Sequence, residues 1–172
     1  MREFDMWSKV KKYFEGHPER LEVVRILIEN GLSIRGGKIY LNEIEIPPTR
    51  VARVAGVDRR TVKETLNAII ANRELRLIFE ELRSAGYSLK DVARHLNLGV
   101  VEITPVDARM PGILANAAMI LAKNGLSIRQ AIVDDPELSP EPKLTLIAER
   151  KIPGELISRF LEIKGVAKIS VY

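Results

Sequence analysis

Apolar residues recur at helical spacing through much of the first half of the chain and at strand spacing in the rest. Met6, Trp7, Val10 and Phe14 mark one side of a short helix over 6–15. Leu21, Val24, Leu27 and Ile28 mark a second over 18–30, which Gly31 ends. A hairpin is expected next: strand 32–35, a Gly36-Gly37 turn, strand 38–41, then an Asn42-Glu43 turn before 44–46. Pro47-Pro48 breaks the strand. Thr49 to Ala55 reads as a helix, Gly56-Val57 as its turn, and Asp58 as the N-cap of another helix whose buried stripe is Val62, Leu66 and Ile69. Helices are further expected over 73–84 and after Ser88, the latter ending at Asn97-Leu98-Gly99.

From residue 100 the period changes. Val100, Val101, Ile103 and Val106 predict a strand, and Asp107-Ala108-Arg109 carries the chain to Met110-Pro111-Gly112. Pro111 is placed at the first helical position, where its missing N–H costs nothing. Ile113, Leu114, Ala117, Ala118, Leu121 and Ala122 form the buried face of that helix, and Asn124-Gly125 stops it. Strands over 126–133 and 143–150, a helix over 153–164 and a strand over 166–172 complete a βαββαβ order, the ferredoxin-like arrangement. The bend before the first helix presents free backbone N–H groups, a setting suited to a carboxylate or other anion. Asn124–Arg129 repeats the NGLSIR of Asn30–Arg35, but the flanks differ, so the repeat reads as shared C-cap chemistry.

With 172 residues the chain has room for one domain or two small ones, and 46% hydrophobic residues supply a core. Aromatics at 5% argue against base-stacking platforms. The absence of cysteine excludes disulfides and thiolate metal sites and makes a cytoplasmic setting the expectation. No apolar run reaches the roughly 20 residues of a membrane helix, and Met1 to Phe14 lacks a signal-peptide pattern. The net charge of +4 lies wholly in the first half, with eighteen Lys/Arg against fourteen Asp/Glu up to residue 97 and nine against nine beyond. That asymmetry points to an anionic partner for the first half, or to an ordinary solvated surface.

Residues 48–71 make the anionic partner specific. A small residue in the first helix (Ala52), a glycine in the turn (Gly56) and a branched residue in the second helix (Val62) resemble a helix-turn-helix. Cations at the start of the second helix would reach phosphates, while Arg and Asn can read guanine and adenine edges in the major groove. The candidate DNA-binding residues are Thr49, Arg50, Arg59, Arg60, Thr61, Lys63 and Asn67. The alternative is a plain helical core with a charged outer face. His17 and His95 lie far apart, and the acidic loop of Asp134, Asp135, Glu137 and Glu141 lacks metal-ligand spacing. No nucleophile–base motif, phosphate loop or dinucleotide fingerprint occurs, so neither catalysis, a metal nor a cofactor is expected.

The stretch V-D-A-R-M-P-G-I-L-A followed by N-G-L-S-I resembles the opening of an ACT domain, the small-molecule-sensing module of amino-acid metabolism, over residues 99–172. The resemblance implies an amino acid or related metabolite held where the first strand meets the first helix, with sites at the seam of a homodimer. Carried over, the ligand-binding positions are Asp107, Ala108, Arg109, Met110, Pro111, Gly112, Ile113 and Leu114 at the bend and Ser127 on the second strand. Arg109 and Ser127 stand where amino-acid-binding members often place asparagine, which turns attention to a dicarboxylate, a phosphorylated metabolite or no ligand.

The expected fold class is therefore α+β: a mostly helical helix-turn-helix domain with a small β-hairpin over 1–72, connecting helices over 73–98, and a ferredoxin-like ACT domain over 99–172. A helix-turn-helix followed by an ACT domain resembles predicted archaeal regulators of amino-acid metabolism, and also leucine-responsive regulators. The resemblance implies a ligand-responsive transcriptional regulator with DNA, a small effector and a second copy as partners, and no membrane. The competing reading is a regulatory subunit that docks an amino-acid biosynthetic enzyme.

Overall fold

The computed structural model describes residues 6–172, so the part of the Met1–Phe14 reading before Met6 lies outside the described residues. The chain divides after Gly86 into two units. Both mix helices with an antiparallel sheet, which makes the protein α+β.

The first unit holds α1 (Met6–Tyr13), α2 (Pro18–Glu29), β1 (Leu32–Arg35), β2 (Lys38–Leu41), β3 (Ile44–Ile46), α3 (Pro48–Ala55), α4 (Arg59–Ala71) and α5 (Arg73–Glu81). Its sheet is a meander in the order β1-β2-β3, registered by Leu32 opposite Leu41 and Ile39 opposite Ile46. Gly36 and Gly37 both take positive φ, which the tight two-residue turn requires, and Asn42 does the same in the next turn. The helices bury Val10, Phe14, Leu27, Val62, Ile69 and Phe79 among one another. Truncating one of these to alanine costs about 2–5 kcal/mol. Helix α5 packs on α4 and β1, so it belongs to this unit; it was expected within a separate connector. It stops at Glu81 instead of 84, and residues 82–89 run without regular secondary structure.

The second unit is the βαββαβ set β4 (Gly99–Pro105), α6 (Ile113–Lys123), β5 (Ile128–Val133), β6 (Leu144–Ala148), α7 (Leu156–Leu161) and β7 (Val166–Val171). The sheet order is β5-β6-β4-β7 with every neighbouring pair antiparallel, the ferredoxin-like order. Val101, Ile103 and Leu146 face α6 and α7 and pack on Ala117, Leu121 and Phe160. The opposite face is also partly covered. Ala93, Leu98 and the half-buried Leu89 lie on Val100 and Ile147, which leaves β6 buried throughout and β4 buried over its first five residues.

Three expectations need correction here. The stretch after Ser88 is not an α-helix: only a short 3-10 turn forms over Ala93–Leu96, because Leu89 and Ala93 are drawn onto the sheet and Asn97 turns to a left-handed conformation. Pro111 precedes α6; the helix begins at Ile113, with Gly112 at φ +95 as its N-cap. Helix α7 is six residues long, since Pro153-Gly154 and the turn after them take up the expected first turn.

Candidate functional site

Two regions carry the candidate chemistry, one in each unit. In the first, α3 and α4 form the corner. Gly56 takes φ +66, and Val57 N–H donates to the Ala52 carbonyl at 3.0 Å, closing α3. Asp58 then caps α4 by accepting the Arg60 N–H at 2.7 Å, a bond worth about 1 kcal/mol. Ala52, Val62, Leu66 and Ile69 are buried between the helices.

The outward face of this corner carries Thr49, Arg50, Arg59, Arg60, Lys63 and Asn67, all exposed. Among the described residues the side chains of Arg59, Arg60 and Lys63 make no ion pair, whereas the hairpin neutralises itself through Arg35–Glu43 at 3.3 Å and Lys38–Glu45 at 2.8 Å. Thr61 departs from expectation. It is half-buried and donates its hydroxyl to Glu19 of α2 at 3.3 Å, on the flank where Glu64 pairs with Arg20 at 2.7 Å. Its position one residue after Arg60 turns it toward α2, so it is removed from the outward face. Arg50 borders an open groove of about 480 Å³ with Leu41, Ile46, Val51 and Val54.

In the second unit the bend between β4 and α6 is tied locally. Val106 N–H donates to the Gly165 carbonyl at 2.8 Å and Met110 N–H to the Asp107 carbonyl at 3.1 Å. The Asp107 carboxylate accepts the Arg109 N–H at 2.9 Å, an Asx turn that occupies one of its oxygens. The Arg109 guanidinium pairs with Glu137 at 2.7 Å. No side chain caps α6.

A cavity of about 150 Å³ opens beside this bend, lined by Ala108, Met110, Gly112, Ile113 and Leu114 together with Pro105, Val133, Pro142 and Leu144. Asp134 and Lys143 supply its only charges. Asp107, Arg109 and Pro111 are exposed and do not line it. Ser127 is not brought to the bend either. It precedes Ile128, which pairs with Ala148 at the Gly99 end of the sheet, while the bend follows the Ile103 end. Five residues of strand, about 17 Å, separate the two ends.

Sequence reasoning singled out neither Glu102 nor its partners. Glu102 lies in the middle of β4 and is only 7% exposed. It accepts Lys90 Nζ at 2.6 Å and the Tyr172 hydroxyl at 2.9 Å. Burial pushes its carboxyl up, but the two hydrogen bonds and the Lys90 charge outweigh that and hold it below the ordinary value. The Lys90 ammonium is raised, chiefly by its bond to Glu102. The available signal was one charge inside the β-branched run VVEIT.

Among the described residues no group of three or more His, Cys, Asp or Glu could hold a metal ion. None of their helices is long and apolar enough to cross a membrane.

No protein-family model and no curated protein matches this chain. Among solved structures, a transcriptional regulator from Neisseria meningitidis in complex with L-Met is 11% identical. It covers 91% of this chain and 86% of its own, at a TM-score of 0.26. The E. coli protein AsnC is also 11% identical, covering 90% and 88%, at a TM-score of 0.24. Overlaps this low do not establish a shared fold.

Proposed function

We propose that this chain is a ligand-responsive transcriptional regulator of amino-acid metabolism and not an enzyme. In this reading the first unit carries the helix-turn-helix and 99–172 is an ACT-type sensor. The observation that carries the reading is the stripe of Arg59, Arg60, Lys63 and Asn67 along the outward side of a capped α4, with its cations free of carboxylate partners among the described residues. Arg59, Arg60 and Lys63 would meet phosphates and guanine edges, Asn67 an adenine edge, and Thr49 and Arg50 the adjoining backbone.

The effector site in this reading is the cavity beside the bend. Ala108, Met110, Ile113 and Leu114 supply its apolar wall, and the uncapped N–H groups at the start of α6 would take an acid group. A volume near 150 Å³ with an apolar lining favours a small aliphatic side chain over a second carboxylate or a phosphate. Asp107 and Arg109 would act by setting the bend, through the Asx turn and the Glu137 pair. Ser127 would join such a site only from a second copy.

A homodimer is part of the proposal. Helix α6 carries no charge before Lys123 and exposes Leu114 and Met119, and α7 exposes Leu161. The competing docking-subunit reading has its own support in Ile44 and Val54, large apolar residues exposed in the first unit.

A thermal-shift screen over amino acids and their biosynthetic intermediates tests the sensor. A ligand at one hundred times its Kd adds about 2.7 kcal/mol of stability, and Leu114→Ala should reduce the shift. Capture of a biosynthetic enzyme with no DNA binding would favour the docking reading.

A further inference from the structure

The face of the second unit's sheet away from α6 and α7 carries a second cavity. Glu102 on β4 stands opposite Thr145 on β6, and Thr145 opposite Ile132 on β5, so the three form one row across the sheet. Ser88 and Lys90 rise on one side of this row, Ser139 and Glu141 on the other, and Asp134 and Lys143 stand beyond it. Together they enclose a cleft of about 490 Å³.

The polar groups here are of two kinds. Lys90 is matched to Glu102 at 2.6 Å and Lys143 to Glu141 at 3.0 Å, so both cations are neutralised. Asp134 is not matched by a cation. Its Oδ2 accepts the Lys143 backbone N–H at 3.1 Å, and among the described residues its Oδ1 has no partner. Two hydroxyls that line the cleft, those of Thr145 and Ser139, likewise make no hydrogen bond among the described residues. Thr145 is only 7% exposed. Its hydroxyl is not fully enclosed, so it opens onto the cleft without a protein partner among the described residues.

We propose that this cleft binds the primary ammonium group of a small metabolite, with Asp134 Oδ1, Thr145 Oγ1 and Ser139 Oγ as acceptors. An ammonium has three N–H donors and no acceptor, which matches three open oxygens. The lining holds two cations and three carboxylates, so a single positive charge neutralises it. Ile132 offers an apolar floor for a short alkyl chain. Two sources share this chemistry, an aliphatic diamine and the side-chain amine of an amino acid. In the second case the carboxylate would reach the remaining donors of Lys90 and Lys143. The cleft shares Asp134 and Lys143 with the cavity beside the bend, whereas Thr145, Ser139 and Ile132 line the cleft alone, so Thr145 separates this proposal from the effector site.

Isothermal titration of the full chain with 1,4-diaminobutane, L-lysine and tetramethylammonium tests it. One or both primary amines should bind and tetramethylammonium, which has no N–H, should not. Tighter binding of the diamine assigns the first source, and tighter binding of L-lysine the second. Thr145→Val keeps the side-chain shape, and Asp134→Asn keeps the acceptor for Lys143 N–H. Each should weaken binding roughly tenfold or more, since each removes a hydrogen bond to a charged group. Failure of both amines to bind, equal binding of tetramethylammonium, or wild-type affinity in both cleft variants would overturn the proposal.

Discussion

The Met110 thioether lies directly against Gly165, so that a Cβ at position 165 would collide with its sulfur. Gly165 also takes φ +91, a conformation that side-chain-bearing residues rarely adopt. The α7–β7 turn and the β4–α6 bend are thereby held together, with Val106 N–H bonded to the Gly165 carbonyl at 2.8 Å.

Gly165→Ala should therefore destabilise the protein by about 1–3 kcal/mol, the cost of a strained backbone plus a displaced side chain. Thermal unfolding checks this. Adding Met110→Ala should recover the part due to the collision and leave the part due to φ, so the double-mutant cycle should show positive coupling.

Gly31 poses the same test in the first unit. It takes φ +62 and its missing Cβ would lie 2.6 Å from the Ser84 backbone. That neighbour is backbone, which cannot move aside as a flexible side chain can. Gly31→Ala should cost more than Gly165→Ala, as read from the midpoint of chemical denaturation.

The Glu102 network predicts a pH dependence. Its folded carboxyl lies below the ordinary value, so its contribution is complete above the unfolded value of about 4.3 and is lost as pH falls through the folded one. Glu102→Gln should cost about 1–3 kcal/mol at neutral pH, the penalty for disturbing a buried charge-assisted bond. The gap between variant and wild type should narrow in acid. A gap that stays constant down to pH 2 would show that the carboxylate charge is not what stabilises the strand.

Much of the architecture was legible because local chemistry and tertiary packing agree. Gly36-Gly37, Asn42, Asp58 and Asn124-Gly125 each do locally what the sequence implied. The segment after Ser88 failed for the opposite reason. Its helical spacing is real, but the apolar residues Leu89, Ala93 and Leu98 are claimed by Val100 and Ile147, and the contact with Ile147 is long-range. The bend was visible as a motif, yet which of its side chains line a cavity was not. Asp107 and Arg109 look like ligand groups in one dimension and are spent on an Asx turn and on Glu137. The second cleft depends on Glu102, Thr145 and Ile132 sharing a register row, a relation no single segment encodes.

The most direct test of the regulatory account is DNA affinity measured by fluorescence anisotropy across a salt series, for wild type and for Arg60→Ala with Lys63→Ala. The account predicts binding that weakens steeply with salt, and a log–log slope reduced by about two in the double variant, roughly one per lost phosphate contact. An unchanged slope and affinity in that variant would contradict it.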